Sequence, residues 1–211
     1  MRVTEERKMR LGVLISGSGT NLQAIIDACA AGEIDAEVSV VISDKEAAYG
    51  LERARKAGID AVWLDRSAYD QPSLFTAAIL ETLVSRGVDV VVMAGYMRLL
   101  GRAVLETYPD RVVNLHPALL PSFPGASAIH DAFTFGVKVT GVTVHLANEV
   151  FDSGPIIAQE PVRIQEDDTV ETLEAKIHEV EHRLYSDTLS AIADGRVEIG
   201  EDRVVHITPK V

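Results

Sequence analysis

The chain has 211 residues, 47% of them hydrophobic and only 5% aromatic, which suits one α/β domain with an aliphatic core. Lys and Arg number 20 against 32 Asp and Glu, and a net charge of −12 argues against a surface that coats nucleic acid. No apolar run nears the roughly 20 residues of a membrane span, and the charged Met1–Arg10 lacks a signal-peptide core, so a cytoplasmic protein without a membrane partner is expected.

Residues 1–9 read as a polar extension that frays. Leu11–Ile15 is a continuous apolar run, the mark of a strand buried on both faces. Ser16-Gly17-Ser18-Gly19-Thr20-Asn21 follows at once, and Leu22–Ala28 then has the period of an amphipathic helix. A Gly/Ser loop that joins a central strand to a helix N-terminus aims free N–H groups and the positive dipole end at one point, where a phosphate is the natural guest. The spacing is neither a P-loop nor a full dinucleotide fingerprint, so a tight turn with a helix cap stays open. Cys29, the single cysteine, excludes an internal disulfide and sits among alanines as a small core residue.

Glu37–Ser43 is a second strand, Ala47–Ala57 a helix stopped by Gly58, and Ala61–Leu64 a third strand. Asp70–Arg86 is a helix closed by Gly87, and Val88–Met93 is a fourth strand, followed by the turn Ala94–Leu100. This alternation is the pattern of a doubly wound, mostly parallel sheet, Rossmann-like in its N-terminal half. In such a sheet the loops after the first, fourth and fifth strands gather at the carboxyl edge.

The fifth strand is the most informative. Val112 and Val113 deliver Asn114 and His116, and alternation sends both polar side chains to one face while Leu115 packs the other way. Pro117 and Pro121 stop the strand, and Pro124-Gly125 turns the chain. An amide donor beside an imidazole suits a carbonyl that gains negative charge during reaction. The alternative is a strand end with two satisfied polar groups.

Ala126–Phe135 is a helix ending at Gly136, and Val139–Leu146 is an alternating strand. Asn148–Pro155 is a polar loop, and Ile156–Val162 pairs back as an antiparallel extension of the sheet. Thr169–Ala193 is a long helix with Thr169 and Thr172 at its start, and Val197–Ile199 with Val204–Ile207 forms a closing hairpin. No internal repeat or composition break divides residues 1–211, so one domain is expected.

Asp152 lies in the polar loop. Held near His116 it would keep the imidazole cationic nearer neutral pH and take a proton from an attacking amine through water. An Asp that closes its own turn is the alternative. His145 faces either the cavity or the opposite layer and reads as structural support. His178 and His182 lie one turn apart on the late helix without an obvious third ligand, so the expectation is no metal and a helix face that touches the ligand edge or solvent. His130 and His206 read as surface or packing residues. Neither Ser127 nor Cys29 has an evident base beside it, so no covalent intermediate is expected.

Together the stretches VLISGSGTNLQAI, VVMAGYMRLL, VVNLHPALLPSFPG and GVTVHLANEVFDSGPIIAQ resemble the phosphoribosylglycinamide formyltransferase family, in order from Leu11 to Tyr185. The resemblance implies the formyltransferase fold and formyl transfer from 10-formyltetrahydrofolate, as co-substrate, to glycinamide ribonucleotide in purine biosynthesis. It implies that residues 10–110 form a nucleotide-phosphate-binding half and 111–211 a catalytic and folate-binding half. Asn114, His116 and Asp152 match the family's catalytic trio. Gly19, Thr20 and Asn21 match the phosphate loop, and Gly95 the junction between the two ligands. Glu181 matches a contact on the ribose and phosphate side, with His178 on the same helix face. Met97, Arg98, Leu99 and Leu100 match the pterin segment, and Val150 and Phe151 the loop that closes over it. Monomer and homodimer both stay open.

Two positions depart from the pattern. Ser127 stands where many members carry a histidine, and Pro72 where an arginine often reaches toward the ligands, with Arg66 as the candidate substitute. Two related activities compete. A methionyl-tRNA formyltransferase needs a second, basic domain for tRNA, which this acidic chain lacks. A formyltetrahydrofolate deformylase carries an added N-terminal domain, for which there is no room before Leu11. A phosphate-binding protein without catalysis is the reading from a different class.

Overall fold

Apolar runs without alternation form the centre of a seven-stranded sheet. The structure, a computed structural model, describes residues 7–210, so the fraying expected of residues 1–6 lies outside the described residues. Strands β1 (Met9–Ile15), β2 (Ala36–Ser43), β3 (Asp60–Trp63), β4 (Val90–Met93) and β5 (Val112–His116) run parallel. Strands β6 (Val139–Leu146) and β7 (Ile156–Arg163) add an antiparallel extension, in the order β3-β2-β1-β4-β5-β6-β7. A separate antiparallel hairpin, β8 (Val197–Ile199) and β9 (Val205–Ile207), closes the chain. Sheet class and hairpin are those the alternation predicts.

The helices are α1 (Thr20–Ala31), α2 (Tyr49–Lys56), α3 (Pro72–Ser85), α4 (Arg102–Thr107), α5 (Ala128–Phe135) and α6 (Val170–Ala193). One core joins Leu11, Val13 and Ile15 of β1 to Leu22 and Ile25 of α1, Leu51 of α2, and Leu173 and Ile177 of α6. The other joins Leu14 of β1 to Phe75, Ile79 and Leu83 of α3 and Val104 of α4. Val113 and Leu115 belong to the first core and Val112 to the second. Alternation therefore puts Asn114 and His116 on the face of α3 and α4.

The departures from expectation are local. Strand β1 opens at Met9, not Leu11, because Met9 and Arg10 pair with Ala36 and Glu37 of β2, and Arg7 reaches Asp89 at 2.8 Å. Helix α3 starts at Pro72, whose fixed φ and missing N–H suit a first helical position. Helix α5 starts two residues later than expected, which leaves residues 124–127 as loop. Helix α4 is not predicted by the periodicity. It has six residues and no side-chain cap, too little for a periodic signal.

Tyr185 fixes α6 to the sheet. Its ring is 1% exposed, and its hydroxyl lies 2.9 Å from the carbonyl of Val113 and 3.2 Å from that of Met93. Met93 is the last residue of β4 and Val113 immediately precedes Asn114 of β5, and Met93 and Asn114 both line the cleft described below. Tyr185→Phe removes this donor while keeping the ring. It is expected to lower unfolding free energy by about 1–2 kcal/mol in urea titrations, the usual cost of a lost buried hydrogen bond.

Candidate active site

The strand order reverses between β1 and β4, and open α/β sheets form ligand crevices at such a point. A cleft of about 1060 Å³ opens there, lined by the loops after β1, β4, β5 and β6 and by one face of α6. Every residue matched to the catalytic trio, the phosphate loop, the ligand junction, the ribose side or the pterin segment lines this cleft.

At one part of the cleft, Gly19 caps α1 with φ 70°, no side chain caps the helix, and its first turn holds no acidic residue. The N–H groups of that turn are therefore free for an anion. A side chain at Gly19 would place its Cβ 2.7 Å from the Cα of Gly50, so close approach as well as backbone angle requires glycine. Asn21 Nδ2 donates to Glu181 Oε2 at 3.0 Å and ties the loop to α6. Burial pushes the Glu181 carboxyl up, against the opposing effects of the Asn21 bond and of His178, whose Nε2 is 3.9 Å away. Among the described lining residues Arg98 is the only Lys or Arg. Arg53 stands behind the loop, its Nε donating to the Ser18 carbonyl at 2.9 Å, so an anion at Gly19–Asn21 would meet backbone N–H groups with that guanidinium close by.

Asn114 and His116 sit at the end of β5. His145 pairs with Asn114 across the β5–β6 ladder. His145 Nδ1 lies 2.9 Å from the Leu146 carbonyl, which only accepts, so Nδ1 carries the proton. While that ring is neutral, its Nε2 accepts from Asn114 Nδ2 at 3.1 Å. This fixes the Asn114 amide with its second N–H unspent. His116 Nε2 donates to the Phe123 carbonyl at 2.8 Å, which leaves Nδ1 as the nitrogen opposite Asp152 Oδ2, 3.5 Å away. His145 is thus the support for Asn114, as expected of it.

Asp152 does not close its own turn. Its side chain is 7% exposed, its backbone is left-handed at φ 52°, and its Oδ2 accepts from Gly125 N–H at 2.9 Å. The carboxyl is held below its usual range first by the His145 ring, then by Gly125 and the charge of His116, against the opposing effect of burial. The His145 Nε2–Oδ1 distance is 3.7 Å, beyond hydrogen-bond range, and the ring favours the carboxylate by charge only when Nε2 is also protonated, a state in which Nε2 no longer accepts from Asn114.

An apolar rim borders the same cleft. Met97, Leu99, Val150 and Phe151 are 67%, 46%, 62% and 55% exposed, while Leu100 is buried. Exposed apolar side chains gathered at a cleft are the mark of a ligand-binding groove. Ser127 lines the cleft without capping α5, and His130, read as a surface residue, is exposed at the cleft edge. Arg66 does not stand in for the arginine absent at Pro72. Its guanidinium donates to the Tyr69 carbonyl at 2.7 Å and lies over the Phe75 ring, away from the lining residues. His178 and His182 stack 6.4 Å apart, and no group of three metal-ligating side chains occurs among the described residues. Burial pushes the Cys29 thiol up to about 11, as suits a core residue. Among the described residues no helix is long and apolar enough to cross a membrane.

Comparison with known proteins gives a consistent picture. The profile of the formyl transferase family matches residues 9–189. The chain is 39% identical over 183 residues to the phosphoribosylglycinamide formyltransferase of Bacillus subtilis, covering 87% of this chain and 94% of that protein. The crystal structure of glycinamide ribonucleotide transformylase 1 from Symbiobacterium toebii superposes with a TM-score of 0.94 at 48% identity, covering 99% of both chains. The trifunctional purine biosynthetic protein adenosine-3 of Bos taurus is 40% identical over 97% of this chain, which spans only 20% of that longer protein.

The lowered Asp152 value has a definite sign. The folded state favours the carboxylate, so the stability it contributes is complete above the ordinary carboxyl value of about 3.9 and is lost as pH falls through the lowered one. In urea unfolding, Asp152→Asn is expected to be less stable than the wild type at neutral pH. That difference should close between roughly pH 4 and pH 2.

Proposed function

The chain belongs to the formyl transferase family, and from that premise we propose that it is a phosphoribosylglycinamide formyltransferase of purine biosynthesis. The formyl group of 10-formyltetrahydrofolate moves to the amine of glycinamide ribonucleotide. One observation carries this reading: a single cleft joins an uncapped helix N-terminus, an apolar rim and the Asn114–His116–Asp152 cluster.

The substrate phosphate rests on the N–H groups of Gly19–Asn21, with His178 and Glu181 beside it on α6. The pterin lies against Met97–Leu100, under Val150 and Phe151, and Gly95 marks the junction. The amine attacks the formyl carbon, and the carbonyl oxygen becomes an oxyanion. The unspent Asn114 N–H and the Nδ1–H of cationic His116 stabilise it. His116 holds a proton on Nδ1 only as a cation, because Nε2–H is committed to Phe123, and Asp152 balances that charge. Asp152, directly or through water, takes a proton from the attacking amine, and a proton goes to the folate nitrogen as its bond to the formyl carbon breaks. No step needs a covalent enzyme intermediate or a metal. Much of the rate gain comes from holding two bound reactants face to face. Residues 10–110 supply the phosphate loop and the Met97–Leu100 segment, and residues 111–211 supply the catalytic trio, Val150 and Phe151, and His178 and Glu181, within one domain. This reading implies a cytoplasmic enzyme of small molecules, monomer or homodimer, without nucleic-acid or membrane partners.

The test is a two-substrate transfer assay with purified protein. Asn114→Ala and His116→Ala are each expected to lower kcat by roughly 10²–10³-fold, the usual effect of losing one oxyanion donor. Folate binding by titration calorimetry should change little, and a chelator should leave turnover unaltered. Formate release that ignores the amine substrate would make the protein a hydrolase, and undiminished turnover in His116→Ala would remove the mechanism.

A further inference from the structure

Three segments far apart in sequence meet beside the cleft on one buried carboxylate. Asp44 follows the last residue of β2, and its side chain is 2% exposed. Its Oδ1 accepts from Ser16 Oγ at 2.7 Å and its Oδ2 from Arg98 Nε at 2.7 Å. Ser16 belongs to the loop after β1 and Arg98 to the loop after β4. The Ser16 hydroxyl gives its one proton to Asp44, so its oxygen is left to accept, and it accepts from Met97 N–H at 3.1 Å. Ser16 N–H in turn donates to the Gly95 carbonyl at 3.1 Å. Buried Tyr96 packs here too, its phenol pushed up first by burial and then by the Asp44 charge.

These bonds close a circuit from Asp44 through Ser16 and Met97 to Arg98 and back. A closed circuit removes freedoms that single contacts leave. Without the carboxylate, the Ser16 hydroxyl is free to rotate away from Met97, and the Arg98 side chain loses the partner that orients it. Asp44 itself is not among the lining residues, whereas Ser16, Gly95, Met97 and Arg98 are. Asp44 therefore touches the walls of the cleft and not its contents.

We propose that Asp44 is a positioning residue for the folate co-substrate: by clamping Arg98 and Ser16 it sets the Met97–Leu100 segment against the Gly-rich loop. This rests on the assignment of that segment to folate made above. The clamp also holds the two binding regions at one spacing, so it acts on the pterin side more than on the phosphate side, where the free N–H groups belong to α1 itself.

The experiment compares wild type, Asp44→Ala, Asp44→Asn and Ser16→Ala. Steady-state kinetics in both substrates, binding of an unreactive 10-formylfolate analogue by calorimetry, and thermal melting are measured for each. Asp44→Ala is expected to raise KM for 10-formyltetrahydrofolate and Kd for the analogue on the order of tenfold, with KM for glycinamide ribonucleotide within about twofold. Asp44→Asn keeps the shape and one acceptor and should fall between, and Ser16→Ala should shift the same constants in the same direction. Should Asp44→Ala fail to fold, the other two carry the comparison. Unchanged analogue binding in the folded variants overturns the proposal. So does an equal loss for both substrates that tracks a fall in Tm, because that is what a purely structural ion pair would do. If the wild type transfers no formyl group, the function proposed above is wrong, while the ratios of analogue affinity still judge Asp44.

Discussion

The cleft depends on one constraint: the Asp152 carboxylate, taken out of water, must find enough partners to stay charged. An unpaired buried carboxylate is costly enough that it protonates instead. Here it has a backbone N–H from Gly125 and the Nδ1 edge of His116, with the His145 ring 3.7 Å away adding charge support only when doubly protonated. Reaching them requires the left-handed backbone at Asp152, which asparagine and aspartate tolerate better than most residues. The same contacts draw the loops after β5 and β6 together, so satisfying one charge also builds the wall of the cleft. Asn114 and His116 are fixed by separate bonds, one to His145 and one to the Phe123 carbonyl. No side chain in the cluster is left to choose its own direction.

How the chain treats charge follows from distance. A net charge of −12 repels anions, but ions screen such fields within about 8 Å at physiological salt. Inside the cleft the short-range groups decide, and the end of α1 presents N–H groups with no carboxylate in its first turn. Backbone N–H groups of this kind keep their polarity at every pH and have no side-chain entropy to lose, so they suit an anion even in an acidic chain.

The fold was legible because its signals are local. Continuous apolar runs, glycine stops and the β-α alternation each lie within a few residues, and the sheet follows from them. The Asn114–His116 pair was legible for the same reason, since a period of two is a property of one strand. The resemblance reached further and picked out Asp152, which lies 36 positions from its partner by chain number. What stayed hidden is what no period or motif marks. Asp44 after a strand looks like any turn aspartate, and only the register of β1, β2 and β4 brings it to Ser16 and Arg98. The place of Arg66 in the sequence says nothing of which way its guanidinium turns, and Tyr69 and Phe75 hold it elsewhere.

Two buried carboxylates, Asp44 and Asp152, thus flank one cleft with side chains 2% and 7% exposed. Each draws on groups from elements that the sheet alone leaves free to move: loop ends at Asp44, and a loop against two strands at Asp152. A hydrophobic contact would hold such segments together but would tolerate sliding, because dispersion and burial have no direction. Hydrogen bonds to a charge are directional and short, and leaving one unmade in a buried site is expensive. Precision at the atoms that meet the ligands therefore has to come from polar groups, while the aliphatic layers beneath supply the stability that makes their burial tolerable.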